Sequence, residues 1–207
     1  MTRPASRGRG RAASRHAGRP TPGEIEAAAS RRVPDVLAPG LRVVFVGINP
    51  GLYSAATGHH FARPGNRFWK ALHQSGFTQR ILRPDEDGDL PALGIGITNL
   101  VRRASAGAAD LSSDELRAGA RSLRRSVGRL HPEFVAFLGL GAFRIAFGRP
   151  KAAIGEQPDR ISPARVWLLP NPSGLNAHHQ LPELTARFAE LPAAAGFRSG
   201  TPKRRVR

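Results

Sequence analysis

Apolar residues in this 207-residue chain fall into two kinds of run, short unbroken ones and longer ones with gaps of three or four. The unbroken runs predict strands buried on both faces, because β-branched and aromatic residues continue without alternation between turn signals. Four are expected, at Arg42–Val46, Gly96–Val101, Phe134–Leu138 and Val166–Leu169. The spaced runs predict helices. Phe68, Trp69 and Leu72 share one face of a helix over 66–75 that stops at Gly76. Leu116, Leu123, Val127 and Leu130 do the same for a helix ending near Arg129. That helix has a start signal, Ser112-Ser113-Asp114-Glu115, in which the hydroxyl and the carboxylate each accept from the other residue's backbone N–H. Shorter helices are expected over 23–31 and 141–147, and a last one over 181–191. Residues 47–64, with five Gly or Pro, read as one long loop, and Asp85, Glu86, Asp87 and Asp89 as a solvated turn. Strands alternating with helices imply an α/β fold, three layers α/β/α with a central, mostly parallel β-sheet.

Charge divides the chain further. The net charge is +17, and residues 1–22 hold six arginines and no acid, while 198–207 add five basic residues and no acid. We expect a disordered basic arm over 1–22, a single domain over 23–197 and a basic tail over 198–207. Such arms attract polyanions, nucleic acid first and anionic membrane second. An arginine-rich coding bias is the plainer origin, since only three of the 32 basic residues are lysine. The amino-terminal arm is Arg-rich and acid-poor in the manner of a transit peptide, but it lacks an apolar segment and an amphipathic period and reads as a disordered arm. No apolar run reaches the ~18 residues of a membrane span. Cysteine is absent, which removes disulfides, thiolate zinc sites, cysteine nucleophiles and iron–sulfur clusters. A cytoplasmic, nucleoid-associated location without membrane partners is expected.

Two of the expected strands end in an Asn-Pro pair. The first end is Gly47-Ile48-Asn49-Pro50-Gly51, the second Asn171-Pro172-Ser173-Gly174-Leu175. A buried strand that ends in a Gly/Pro turn with a polar side chain is how open α/β sheets place chemistry at their carboxyl edge. The two segments should therefore meet over one cleft. The Asn49 amide is no strong base, but it accepts at one atom and donates at the other. That suits holding a water or one edge of a base, and it equally suits the start of an Asn-Pro turn. Phe61, in a Gly/His/Pro loop, either stacks on a base or folds back onto the domain. Gly174-Leu175 has the shape of a wedge between base steps. His59/His60 and His178/His179 are neighbours in sequence, a poor geometry for chelating one ion, so no metal is expected. No G-x-x-x-x-G-K-[ST] or H-E-x-x-H sequence is present.

Joined, these residues resemble a known family. Val44 to Gly51, Ala55-Ala56-Thr57-Gly58 and Phe61 to Lys70, with Leu168 to Leu175, look like the mismatch-specific uracil-DNA glycosylases. These are bacterial relatives of thymine-DNA glycosylase within the uracil-DNA glycosylase superfamily, and the resemblance spans residues 41–192. It implies a uracil-DNA glycosylase-like fold and a monofunctional enzyme without cofactor. The substrate would be double-stranded DNA carrying a mispaired or damaged base, and the protein a monomer. By this resemblance Asn49 positions the water that attacks a flipped deoxynucleotide. Phe61 stacks on the extruded base, the backbone around Ile48 and Phe61 reads its edge, and Gly51 and Ser54 complete the pocket, Ser54 near the pyrimidine 5-position. Gly174, Leu175 and Asn176 fill the vacated duplex space and face the widowed guanine, although some relatives carry arginine shortly after the leucine. Asn171, Ser173 and His178 shape that loop or touch phosphate. Asn66 and Arg67 brace the first loop. Some relatives have lysine where this chain has Asn99, so no role is assigned there.

Two other readings stand beside this one. A non-catalytic module could bind mispaired or distorted DNA with the same loop and wedge, but it would not need a polar group at the pocket floor. A small-molecule α/β enzyme with incidental basic tails would show no DNA affinity at low salt.

Overall fold

The computed structural model describes residues 19–161, 163–174 and 179–196. Residues 1–18 and 197–207, the bulk of both expected basic tails, lie outside the described residues, as do Leu175, Asn176 and His178.

Chain order is α1 (Pro22–Glu26), a 3₁₀ turn (Ala27–Ser30), β1 (Val43–Gly47), α2 (Leu52–Thr57), α3 (Phe68–Gln74), a 3₁₀ stretch (Pro84–Leu93) and β2 (Ile95–Asn99). A short 3₁₀ turn (Ala108–Asp110), α4 (Ser113–Leu130), β3 (Phe134–Leu138), α5 (Leu140–Phe147), β4 (Gly155–Ile161), β5 (Ala164–Leu169) and α6 (Leu181–Ala194) follow. The sheet runs β2-β1-β3-β5-β4. All neighbours are parallel except β4, which lies antiparallel to β5 at the edge.

Each expected strand is buried on both faces. On β1, Phe45 joins a core with Phe68, Leu72, Leu184 and Phe188, beneath α3 and α6. Val44 and Val46 join the opposite core with Leu116, Leu123, Val127 and Phe143, beneath α4 and α5. The result is the expected α/β/α arrangement. Phe45 is the pivot of the first layer, edge-on to Phe68 and Phe77 and stacked on Phe188. Such ring pairs add about 0.5–1.5 kcal/mol each beyond the area they bury.

The topology locates the site. From β1 the chain steps to β2 on one side, then returns across β1 to β3 on the other. That reversal opens a crevice at the carboxyl ends of β1 and β3, where open α/β sheets bind ligands. Register places Gly47 beside Asn99 at this edge.

Three expectations need correction. Residues 47–64 are not one loop, because Leu52–Thr57 forms α2, ended by Gly58 in the left-handed region. In the acidic stretch Asp85 and Asp89 are exposed as expected, but the segment is not a turn. It is 3₁₀ helix, and Asp87 is buried. Strand β4 was not expected because Gly155–Ile161 is polar and holds Pro158, a composition suited to an exposed edge. The capping box of α4 forms as the sequence indicates, with Ser112 and Glu115 bonded reciprocally.

Candidate active site

Beyond β1 and β2 the chain stays zipped. Leu100 N–H donates to Gly47 O at 2.8 Å, Val101 N–H to Ile48 O at 2.9 Å and Ser105 N–H to Pro50 O at 3.2 Å. These bonds hold the first Asn-Pro segment against residues 100–105 and leave a cleft of about 140 Å³. Gly47, Ile48, Asn49, Gly51, Ser54 and Phe61 line it from one side, with Asn99, Ser105, Asn171 and Ser173 facing them. The two Asn-Pro segments do meet over one cavity.

Asn49 is fixed by its nitrogen. Its Nδ2 donates to Ser105 Oγ at 2.8 Å and approaches Pro50 O at 3.1 Å and Arg103 O at 3.2 Å. Two carbonyl oxygens can only accept, so the amide has one sensible orientation. Ser105 in turn donates to Gly107 O at 2.6 Å, which leaves its oxygen lone pairs toward Asn49. Oδ1 of Asn49 has no protein donor among the described residues and is open to a ligand or water. Arg103 is itself held by a bidentate pair with Glu115 at 2.7 and 3.1 Å. Arg103 and the Ser112 backbone hold the Glu115 carboxyl down at about 2. The α4 cap thus reaches back to the Asn49 mount.

Asn99 is oriented by His60, which is 2% exposed. His60 Nε2 lies 2.9 Å from Pro34 O, an acceptor, so Nε2 carries the proton. Nδ1 then accepts from Asn99 Nδ2 at 3.4 Å. Burial pushes the His60 pKa down, and the neutral ring this favours matches the hydrogen-bond pattern. Asn99 Oδ1 is left on the Gly47 side, where a methyl group on Gly47 would sit 2.5 Å from it. Gly47 is glycine because the amide needs that space.

Phe61 folds back onto the domain, the plainer of its two readings, and still reaches the cleft. Its backbone takes φ 53°, uncommon for a bulky side chain. The ring stacks on Phe68 with centroids 4.1 Å apart, and it also walls the cleft. Ser54 Oγ accepts from Ala62 N–H at 3.1 Å, so its hydroxyl holds the Phe61 loop as well as lining the pocket.

Residues 34–192 match the uracil DNA glycosylase superfamily. The protein belongs to this superfamily. Membership makes it a DNA glycosylase, a hydrolase of the N-glycosidic bond that acts on uracil in DNA and serves DNA repair.

The second segment of the glycosylase is ordered by the first. Asn171 Oδ1 accepts from Ser173 N–H at 3.0 Å, which makes an Asx turn of the strand end. Arg67 donates from its backbone to Pro172 O at 3.0 Å, and from its guanidinium to Ser173 O at 2.5 Å and His179 O at 2.6 Å. Arg67 therefore braces the second loop rather than the first. Gly174 lies against Gly65, and a Cβ there would meet Gly65 O at 2.7 Å.

Three contributors escaped sequence reading. Ser105 stands in a small-residue loop with nothing to single it out. His60, paired with His59 in sequence, carries no local sign of its buried role. Asp87 accepts from His60 N–H at 3.2 Å and contacts His59 Nδ1 at 3.2 Å, yet in sequence it is one acid among four. Trp69 Nε1 adds a bond to His60 O at 3.3 Å. The His59–His60 corner is thus pinned by Asp87, Trp69 and Pro34 together.

Proposed function

We propose that this glycosylase removes uracil from G·U mispairs in duplex DNA, hydrolysing the N-glycosidic bond and leaving an abasic site. Thymine and exocyclic adducts are further candidates for the same pocket. The observation that carries this reading is the Asn49 amide, tied through Nδ2 to Ser105, Pro50 and Arg103 with Oδ1 open to the cleft. An amide oxygen so mounted can accept from a water and aim it at the anomeric carbon, but it cannot take a full proton. The nucleophile is weakly activated, and bond breaking must run ahead of water attack. Departure of the base then leaves oxocarbenium character on the sugar, which the DNA phosphates stabilise electrostatically.

Base choice follows from Asn99. Uracil and thymine present an N3–H between two carbonyls, and Asn99 Oδ1 is an acceptor for that N3–H. Cytosine has a lone pair at N3, so two acceptors would oppose each other across the same gap. A pocket built for a hydrogen bond rejects the analogue lacking it far more strongly than it rejects one extra methyl. Flipping costs a few kcal/mol and costs less from a mispair, so a slow chemical step favours G·U over A·U. Gly174, Leu175 and Asn176 are the proposed wedge, and Asn171, Ser173 and His178 its support or phosphate contacts. Among the described residues no lysine lines the cleft, and we expect no Schiff base and no strand cleavage.

Single-turnover cleavage of labelled duplexes bearing G·U, A·U or G·T, followed by alkali, tests this reading. Release from G·U that Asn49→Ala abolishes supports it. Mispair binding with no release from any duplex points instead to a non-catalytic lesion binder.

A further inference from the structure

Helix α4 carries a feature that the cleft does not use. Arg117, Arg121, Arg125 and Arg129 recur every four residues on its outer side, with Arg124 beside them, and no acid occurs between Leu116 and Pro132. At 1.5 Å rise per residue the stripe is ~18 Å long. Arg117 has one weak partner, the highly exposed Asp114 at 3.1 Å. Arg124 lies over the Phe147 ring at 5.2 Å. Arg121, Arg125 and Arg129 are exposed and have no ion pair among the described residues. Two acids of neighbouring segments are ion-paired with other arginines, Glu115 with Arg103 and Asp159 with Arg149.

Like charges four apart weaken a helix, whereas Glu-to-Lys or Asp-to-Arg pairs at the same spacing strengthen it. This helix stacks three such repulsive pairs in succession. Its buried face, Leu116, Ala120, Leu123 and Val127, supplies the packing that holds it in place regardless. The exposed positions between the arginines are Ala118 and Gly128, so a polyanion can approach this face of the helix closely.

We propose that this stripe is a second binding track for the phosphate backbone of duplex DNA, separate from the cleft. The choice of DNA rests on the reading of the cleft given above. DNA carries one phosphate per ~3.4 Å on each strand, so the stripe faces ~5 phosphates. Its direction sets its role. Helix α4 leaves the carboxyl edge after β2 and returns to the start of β3, so the stripe runs away from the cleft toward the opposite edge of the sheet. A duplex seated on the cleft meets only its first turn. The rest of the track takes a second duplex segment, which lets the enzyme pass from one segment to another without full release.

The test uses the full chain and Arg121→Gln, Arg125→Gln, Arg129→Gln combined. A control triple, Arg31→Gln, Arg32→Gln and Arg160→Gln, removes the same charge elsewhere. Expected is about tenfold weaker binding of undamaged duplex at low salt, and a log–log salt slope shallower by ~2.7. Wild type should leave a labelled duplex faster as unlabelled duplex is added, and the stripe triple should lose that acceleration. Single-turnover release from a short G·U duplex should be unchanged, which also shows that the variant folds. An unchanged salt slope, or an equal loss in the control triple, overturns the proposal. So does binding of wild type to phosphatidylserine vesicles that the stripe triple loses while its DNA binding stays intact. If wild type releases no base while the stripe triple still weakens DNA binding, the glycosylase reading fails and the track stands.

Discussion

Ser105 donates its proton to Gly107 O at 2.6 Å and offers its oxygen to Asn49 Nδ2 at 2.8 Å. A hydroxyl whose donor is committed elsewhere can only accept, and so it dictates which way the Asn49 amide points. Ser105→Ala should therefore lower single-turnover excision by about tenfold while leaving duplex affinity intact, as loss of one hydrogen bond of about 1–1.5 kcal/mol implies. Asn49→Ala should lower it by at least about 100-fold. Ser105→Thr, which keeps the hydroxyl, should recover much of the loss. Equal rates for Ser105→Ala and wild type would remove Ser105 from the mount.

Gly47→Ala tests the other wall. The new methyl would lie 2.5 Å from Asn99 Oδ1 and 3.4 Å from Phe61 Cζ. Asn99 must turn away and give up His60, at a cost of about 1–3 kcal/mol in stability. Discrimination between uracil and cytosine should fall more than the excision rate of a pre-flipped substrate. Denaturant melts and paired U and C substrates read the two effects separately.

Stability should depend on pH through His60. Its folded pKa lies below the ordinary value of 6.5 because burial opposes the charge. Below that value the unfolded chain takes up a proton that the folded chain refuses, so stability falls as pH drops from 6.5 toward the folded pKa. Above 6.5 both states are neutral at this residue and its contribution is flat. His60→Gln should reduce the acid-side slope in denaturation measured at several pH values. An unaltered slope would show that the ring is not the titrating group.

Asp87→Asn keeps the shape but weakens both bonds to the His59–His60 corner. We expect excision to fall about five- to tenfold, with stability lower by about 1–2 kcal/mol. Single-turnover rates and denaturant midpoints measure the two. Crossing it with His60→Gln should give less than the sum of the single effects, because both act through one corner.

Two amino-terminal deletions should behave differently. Removing residues 1–18 takes away basic charge and should weaken binding to all duplexes alike with base choice intact. Removing residues 1–30 also takes Ala28, fully buried against Ala55 and Ala104. Those two residues adjoin Ser54 and Ser105, so this deletion should slow excision as well. Salt-dependent binding and single-turnover rates on one G·U duplex compare the pair. Equal excision by both deletions would show that the Ala28 contact is dispensable.

The strands that build the sheet were legible because each is a both-faces-buried run. Phe45 and Val46 need no alternation when helices cover both sides. The helix over 113–130 was legible from Ser112 and Glu115, a signal local in sequence. Strand β4 was not, since an exposed edge selects against the apolar run that marks a strand. Asn49 and Asn171 could be picked out because they follow strand ends, and Phe61 because a large apolar residue is unusual in a Gly/His/Pro loop. Ser105, His60 and Asp87 could not. Each acts through a partner 27 to 56 residues away, and nothing local in a serine or an aspartate announces a distant acceptor or donor.

The outer borders of the sheet carry a consequence of their own. At one border β4 is polar and contains Pro158. At the other, Val36 exchanges both backbone hydrogen bonds with Ile97, at 2.9 and 2.8 Å, and caps the middle of β2. Asp35 secures that cap through Thr98 at 2.7 Å and Arg102 at 2.8 Å. A sheet closed in this way does not template growth by a neighbouring chain. Molecules of this protein crowded along one DNA thread can therefore sit side by side without their sheets fusing.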